Sequence, residues 1–313
     1  MVKVNTYPLA RGLASYVLPR RIFERPGSGG TFSSEYCYSV WHRHLYFLLE
    51  NGLFSDPQEI FSVAEIGPGD SLGIGMSALY SGAQKYFAFD VIEHANLDRN
   101  LAVNDTLLKF YSENLGIPHG ERQRNTHPML PVYDFPQSCA KLSSEYFRNR
   151  HRQISLALCR DASSTLSMEY VVPWMSRSDA RSEQLDLIFS QAVMEHVADI
   201  EFAYTEMYRW LRPGGVVSHQ IDFKTHEMTA DWNGHWYIPT PVWRVLAHGR
   251  KYPLNRLPLS AHLGVLEKAG FKIEFVLPVR KANVFGDIKP AVPGVHFTTD
   301  DLVTSGALVQ AIK

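Results

Sequence analysis

The feature that most constrains the fold of this chain is a strand, turn, helix and strand pattern between residues 61 and 91. Phe61–Ile66 is an apolar run, and a glycine-containing turn, a helix to about Tyr80 and a second apolar run at Tyr86–Val91 follow it. Two strands joined through a helix pair in parallel, because a tight hairpin joins only antiparallel strands. The pattern therefore predicts a parallel α/β sheet.

Further strands and helices are predicted downstream of this unit. The predicted strands lie at Met168–Val172, Leu185–Ser190, Val216–Ile221, Phe271–Leu277 and Leu308–Ile312. Helices are predicted from about Glu195 to Leu211, before Pro213-Gly214-Gly215, and around Leu263–Ala269, before Gly270. Alternating strands and helices of this kind are typical of one α/β domain.

Two regions of the chain lie outside the regular alternation. Residues 1–59 contain the aromatic-rich segment Tyr36–Leu53, whose apolar spacing predicts an amphipathic helix, and we interpret this region as an N-terminal helical cap. Residues 60–313 then form the main domain. Two less regular stretches, near 98–165 and 223–255, are predicted to be insertions.

Charge and cysteine content narrow the range of partners. The chain has 31 Lys and Arg against 32 Asp and Glu, so no net field attracts nucleic acid or an anionic membrane. Its 3 cysteines are widely spaced and fit neither a disulfide framework nor a zinc ribbon. No apolar run reaches the length of a membrane span. We therefore expect a cytoplasmic protein that binds neither nucleic acid nor membrane; nothing in the sequence indicates its oligomeric state.

The glycine turn after the first strand is a candidate ligand site. Gly67 and Gly69 let the backbone approach a ligand, and Pro68 lies between them. Asp90 follows Gly67 by 23 residues at the end of the next strand, where an acidic side chain can bind a ribose diol. A tight turn also needs glycine on steric grounds alone, and the motif by itself leaves that alternative open.

Nicotinamide dinucleotides and S-adenosylmethionine (SAM) share this binding geometry. Glu65 would repel the pyrophosphate of a dinucleotide, whereas it suits the ammonium group of SAM, directly or through water. The dinucleotide fingerprint also requires a glycine where this chain has Leu72. The residues favour SAM, and a nicotinamide-dependent oxidoreductase stays the alternative.

Glu65–Gly73 resembles motif I of class I SAM-dependent methyltransferases, an acidic residue followed by Gly-x-Gly-x-Gly, with Ser71 in place of the third glycine. Leu185–Val197 resembles the strand-four motif of that superfamily, and Leu211–Val216 resembles the turn before its strand five. The resemblance covers roughly residues 60–313. It implies a Rossmann-like, doubly wound sheet of seven strands whose last strand is antiparallel.

The resemblance also implies SAM as the cofactor and assigns residues to it. These are Glu65, Gly67, Pro68 and Gly69 for the methionine part, Asp90 for the ribose, Trp174 for the adenine, and Ser190 and Gln191 beside the methyl group. The adenine position depends on which segment is the third strand. It lies around Pro173-Trp174-Met175 in one case, and beside Asp161 if Leu156–Cys159 is that strand.

A hydroxyl acceptor needs a base, and histidines follow the predicted fifth strand. His219 and His226 flank Asp222 in the segment Ser218–His226, beyond the end of a strand where α/β sheets bind ligands. We predict that His219 or His226 removes the acceptor proton and that Asp222 orients it. We predict no metal, although two histidines and one aspartate leave a three-ligand site open as an alternative.

The predicted reaction is O-methylation of a small polyhydroxylated or sugar-like metabolite. Asp231–Tyr237 combines aromatic rings with polar groups, a composition that can stack on sugars and bind their hydroxyls, or simply form the core of a loop. A SAM-binding protein without methyl transfer is a further alternative. A nucleic-acid amino-methyltransferase is disfavoured, because the chain lacks the Pro-Pro pair of that motif.

Overall fold

The computed structural model describes residues 2–18, 30–174 and 183–313, and a seven-stranded sheet forms the centre of this part of the chain. The strands are β1 (Ser62–Ile66), β2 (Lys85–Phe89), β3 (Ser167–Val171), β4 (Leu185–Gln191), β5 (Leu211–Asp222), β6 (Lys272–Arg280) and β7 (Thr304–Ile312). They lie in the order β3-β2-β1-β4-β5-β7-β6. β1 to β5 pair in parallel, and β7 is antiparallel to both β5 and β6. The predicted sheet with its antiparallel last strand is confirmed.

Helices cover both faces of the sheet. They are α1 (Thr6–Ala14), α2 (Ser34–Glu50), α3 (Gly73–Ser81), α4 (Leu97–Ser112), α5 (Ser144–Leu158), α6 (Ile200–Trp210), α7 (Thr240–Ala247) and α8 (Leu259–Ala269). Val63 and Leu187 belong to the apolar core shared with α2 to α5, whereas their neighbours Ala64 and Ile188 belong to the core shared with α6 and α8. Successive strand residues point to opposite faces, so the sheet has two cores. The doubly wound, Rossmann-like arrangement is confirmed.

Helix α2 is more central than its sequence suggests. Every residue from 37 to 45 is buried, because α3 and α4 pack on the helix and the sheet lies beneath it. Trp41 donates a hydrogen bond to the Ser81 hydroxyl at 2.8 Å, and the buried Arg43 donates to the carbonyl of Pro128 at 2.6 Å. The predicted one-sided, amphipathic character of this helix is therefore wrong. The division of the chain at residue 59 stays a prediction.

The start of α6, the helix that follows β4, differs from the prediction. The helix predicted from Glu195 begins instead at Ile200, because the Asp199 side chain accepts a hydrogen bond from the Phe202 amide and caps it there. Glu195 and His196 consequently lie in a short 3-10 turn, Met194–His196.

The predicted insertion near 98–165 contains α4 and α5, which pack on α3. None of the helices in the described part of the chain is long and apolar enough to span a membrane.

Candidate functional site

A cleft of about 530 Å³ lies at the ends of β1, β2 and β4, within the size range of cofactor sites. It is lined by five of the residues that the sequence assigns to the cofactor: Gly67, Gly69, Asp90, Trp174 and Gln191. The remaining three, Glu65, Pro68 and Ser190, do not line it. We call this cavity the cofactor cleft.

The glycine turn forms one wall of the cofactor cleft. Gly67 and Gly69 both have φ of 72°, a left-handed conformation that other residues rarely adopt. A Cβ atom on Gly67 would lie 2.6 Å from a methyl of Val193, which also lines the cleft. The turn therefore needs glycine at residue 67 both for its backbone conformation and for the space around it.

Ser71, which replaces the third glycine of the motif, fixes the turn to the segment before α2. Its hydroxyl donates a hydrogen bond to the carbonyl of Thr31 and accepts one from the Gly73 amide. The Thr31 hydroxyl in turn accepts from the Asp70 amide at 2.7 Å. Gly30 and Thr31 also line the cofactor cleft. The serine that replaces the third glycine therefore connects the glycine turn to a second wall of the cleft, formed by the segment before α2.

Asp90 lies at the end of β2, with 6% of its surface exposed, and lines the cofactor cleft. One carboxylate oxygen accepts a hydrogen bond from the Val91 amide at 2.7 Å, and the other lies 3.4 Å from the Gly69 amide. The second oxygen is therefore only weakly bonded within the protein. A carboxylate held in this way suits a ribose diol, as the sequence predicts.

Replacing Asp90 by alanine is expected to weaken SAM binding roughly ten- to hundredfold, because charge-assisted hydrogen bonds contribute about 1.5–3 kcal/mol. Calorimetric titration measures the effect. Asp90→Asn keeps an oxygen for the Val91 amide and should lose part of the affinity, whereas Asp105→Ala, at an exposed aspartate on α4, should lose none. A loss below threefold for Asp90→Ala would assign the residue to structure alone.

Glu65 lies at the end of β1 but does not line the cofactor cleft. Its side chain is 1% exposed, and one oxygen accepts a hydrogen bond from the Tyr86 hydroxyl at 2.6 Å. Burial raises the pKa of Glu65 to about 8, against the hydrogen bond from Tyr86, which lowers it. The side chain thus connects β1 to β2, and its contact with the ammonium group of the cofactor, directly or through water, stays a prediction.

The third strand settles the two alternatives for the adenine. β3 is Ser167–Val171, and residues 156–158 belong to α5, so the strand at Leu156–Cys159 and the adenine position beside Asp161 are wrong. Trp174 follows β3 and lines the cofactor cleft with 4% exposure. Met175 lies outside the described residues.

A smaller cavity of about 220 Å³ adjoins the cofactor cleft. Tyr36, Gln191 and Ala192 line both cavities, so the two meet at the end of β4. The other residues around the smaller cavity are mostly polar: Asn125, Thr126, His127, Gln220, Asp222, Lys224, Ser305 and Gly306. We call it the acceptor pocket.

The predicted catalytic group is brought together only in part. His226 Nε2 lies 3.6 Å from a carboxylate oxygen of Asp222, and Asp222 lines the acceptor pocket. Burial alone would raise the pKa of Asp222, but His226 and the positive charge of Lys224 outweigh it and lower the pKa.

His219 is separate from this pair. The neighbouring strand residue Gln220 lines the acceptor pocket, so the His219 side chain points to the opposite face of the sheet. There it is fully buried, its Nδ1 lies 2.8 Å from the Ser190 hydroxyl, and its ring packs against Tyr204. Burial lowers the pKa of His219 to about 3. The prediction that His219 joins Asp222 and His226 is wrong in this geometry.

Several residues that line the cavities have no counterpart among the predicted site residues. Tyr36 comes from α2, His127 from the loop between α4 and α5, and Tyr252 from the segment before α8. Burial, followed by the charge of Lys224, lowers the pKa of His127, so its imidazole is neutral near pH 7. For Tyr36, the aromatic-rich segment around it was the one sequence feature that could have indicated a role in the site. His127 and Tyr252 lie in irregular stretches without hydrophobic periodicity, so the sequence pattern gave no indication of their positions.

Comparison with known proteins gives one family match and distant structural likenesses. Residues 140–218, which contain α5, β3, β4, α6 and the start of β5, match the family model described as a methyltransferase domain. Among solved structures, the chain is similar to a SAM-dependent methyltransferase from Mesorhizobium loti, with 15% identity over 80% of this chain and 90% of that chain and a TM-score of 0.38. It is also similar to one from Methanosarcina mazei, with 12% identity over 85% and 96% and a TM-score of 0.44. No curated protein matches it.

Proposed function

We propose that the chain is a class I SAM-dependent methyltransferase and that it methylates an oxygen atom of a small polyhydroxylated or sugar-like acceptor. The observation that carries this proposal is the acceptor pocket. Its volume of about 220 Å³ suits a small molecule, and its walls offer amide, hydroxyl, carboxylate and ammonium groups. Such groups bind hydroxyls in several directions at once.

Methyl transfer is an in-line displacement, and the junction of the two cavities is suited to it. A lone pair of the acceptor oxygen forms the new bond to the methyl carbon while the bond from carbon to sulfur breaks, and the sulfonium becomes the neutral thioether of S-adenosylhomocysteine. We place this step beside Gln191, which lines both cavities. The Gln191 side-chain amide donates to the main-chain carbonyl of His127 at 3.1 Å and to the side-chain oxygen of Gln220 at 3.3 Å, so its position is held from two sides.

The acceptor hydroxyl must lose its proton during the transfer, because its own pKa lies far above 7. We assign this role to His127. His127 lines the acceptor pocket, and the lowered pKa of its imidazole keeps the ring neutral and able to take a proton. Asp222 and Lys224 line the same pocket and would bind the other hydroxyls of the acceptor. His219 has no part in this proposal, since it is buried on the other face of the sheet.

The overall charge supports a small acceptor. With 31 Lys and Arg against 32 Asp and Glu, the chain has no excess of positive charge for binding nucleic acid. Its three cysteines carry no disulfide, which accords with the cytoplasmic location that we propose.

Transfer of a labelled methyl group tests the proposal without a guess about the acceptor. The protein is incubated with methyl-deuterated SAM and a cell extract separated into small molecules, proteins and nucleic acids. We expect the label in small molecules, as a methyl ether that withstands alkali. The Gly67→Val variant, in which the cofactor site is blocked, should transfer none. Label found only in the macromolecular fractions, or on nitrogen or carbon, would reject the proposed acceptor class.

A further inference from the structure

Three potential metal ligands lie together beside the cofactor cleft. Glu195 and His196 belong to the 3-10 turn after β4, and His226 belongs to the loop after β5. One donor atom from each residue lies within 4.8 Å of the other two. The rings of His196 and His226 have their centres 5.0 Å apart. His196 lines the cofactor cleft, and Asp222, which contacts His226, lines the acceptor pocket.

Glu195 is the most unusual member of this group. Its side chain is 2% exposed, and neither carboxylate oxygen has a hydrogen-bond partner among the described residues. Nδ1 of His196 is likewise buried and without a partner. A buried polar group without a partner costs roughly 1–3 kcal/mol, and a buried charge costs more. Two such groups side by side are poorly explained as packing.

A hydrogen-bonded pair of carboxyl and imidazole would be the simplest structural explanation, and the geometry does not support it. Glu195 and His196 form no hydrogen bond with each other in the described structure, although they are adjacent in the chain. Neither group is therefore satisfied by the other.

We propose that Glu195, His196 and His226 bind a divalent transition-metal ion such as Zn²⁺. Two imidazoles and one carboxylate are a donor set that such ions prefer, whereas Mg²⁺ prefers oxygen ligands. A tetrahedral site with ligands about 2.1 Å from the metal places them roughly 3.4 Å apart, so a shift of about an ångström closes the site. Three protein ligands leave one coordination position for water or an acceptor oxygen.

Two further observations agree with this site. Asp222, with its oxygen 3.6 Å from His226 Nε2, is placed to orient that imidazole, as carboxylates commonly do behind a metal-bound histidine. His226 and Glu227 have φ of 49° and 63°, and two successive residues in the left-handed region cost free energy that the surrounding structure must offset. The inference does not depend on the identity of the acceptor.

Binding of Zn²⁺ alone to the full-length protein tests the proposal. The protein is treated with a chelator, dialysed and titrated with Zn²⁺ by calorimetry, and its thermal unfolding is followed with and without the ion. We expect one Zn²⁺ per chain, a higher melting temperature with Zn²⁺, and much weaker binding of Mg²⁺. If the chelator-treated chain takes up no Zn²⁺, or binds it without any rise in melting temperature, the site does not exist.

Two variants and one control locate the ion. Glu195→Gln keeps the shape of the side chain but removes the anion, and His226→Asn removes a ligand while asparagine tolerates the left-handed backbone. Each should weaken Zn²⁺ binding at least about a hundredfold while SAM affinity, which reports folding, stays unchanged. His151→Asn removes a histidine that contacts Asp105 outside both cavities and should bind Zn²⁺ normally. Equal Zn²⁺ affinity in Glu195→Gln and wild type would show that the Glu195 carboxylate is not a ligand and overturn the assignment.

Discussion

Replacing His127 by alanine is expected to lower turnover by roughly 10²–10⁴-fold, with SAM affinity within about twofold of wild type. The expectation follows from position and protonation together. His127 lines the acceptor pocket, and burial keeps its imidazole neutral, so it can accept the proton of a hydroxyl as the oxygen attacks. Its loss removes an interaction that exists only in the transition state, so kcat should fall and KM should change little. Steady-state kinetics with the acceptor from the labelling experiment measures both.

His219→Ala is the matched comparison, because His219 was the base candidate from the sequence. Its ring is fully buried and bonded to Ser190, so the variant leaves a cavity and should lose about 2–4 kcal/mol of stability. The folded fraction should still turn over at nearly the wild-type rate. If His127→Ala keeps normal turnover and a chelator abolishes that turnover, a metal ion bound to the acceptor oxygen, and not His127, promotes the loss of the proton. Normal turnover with and without chelator would mean that alignment alone carries the reaction.

The parts of the structure that follow from local sequence were predicted well. The left-handed turn at Gly67 and Gly69 and the cap at Gly270, with φ of 106°, require glycine for reasons that lie within a few residues. The strands have apolar runs of the right length, and the helices between β1, β2 and β3 agree with the parallel pairing of these strands. The glycine turn that lines the cofactor cleft was therefore visible in the sequence.

The acceptor half of the site depends on contacts between distant residues. Gln220 and His219 are neighbours in β5, and only the pairing of Gln191 with Gln220 determines which of them faces the cavities. His127 is brought to the pocket by a loop that Arg43 holds through the carbonyl of Pro128. That contact joins residues 85 positions apart, one of them in an irregular loop. Hydrophobic periodicity predicts regular elements and gives no information about such a loop contact.

The hydrogen bond of Glu65 likewise depends on a residue from another strand. The residue is correctly located at the end of β1, but its nearest partner, Tyr86, comes from the neighbouring strand. The parallel register pairs Glu65 with Ala88, which places Tyr86 two residues earlier on the same face. An acidic residue before a glycine turn can therefore serve the cofactor or the sheet, and the register of the neighbouring strand decides between them.

Gly67→Val is expected to weaken SAM binding by at least roughly a hundredfold, equivalent to about 2.8 kcal/mol. Residue 67 has φ of 72°, which a β-branched side chain tolerates poorly, and a Cβ there lies 2.6 Å from Val193. Both Gly67 and Val193 line the cofactor cleft, so the added methyl groups take up space that the cofactor needs. Calorimetry with SAM and S-adenosylhomocysteine measures the loss.

A second glycine in the same backbone conformation separates strain from blockage. Gly52, after α2, has φ of 67° and no atom within 4 Å of its would-be Cβ. Gly52→Val therefore carries the backbone strain without any obstruction of the cleft, and it should lose stability but bind SAM normally. Gly67→Val should lose stability as well, since Val193 must move. If the folded Gly67→Val protein binds SAM as tightly as Gly52→Val does, the glycine turn lies outside the cofactor site, and the assignment of the cleft to SAM through this turn fails.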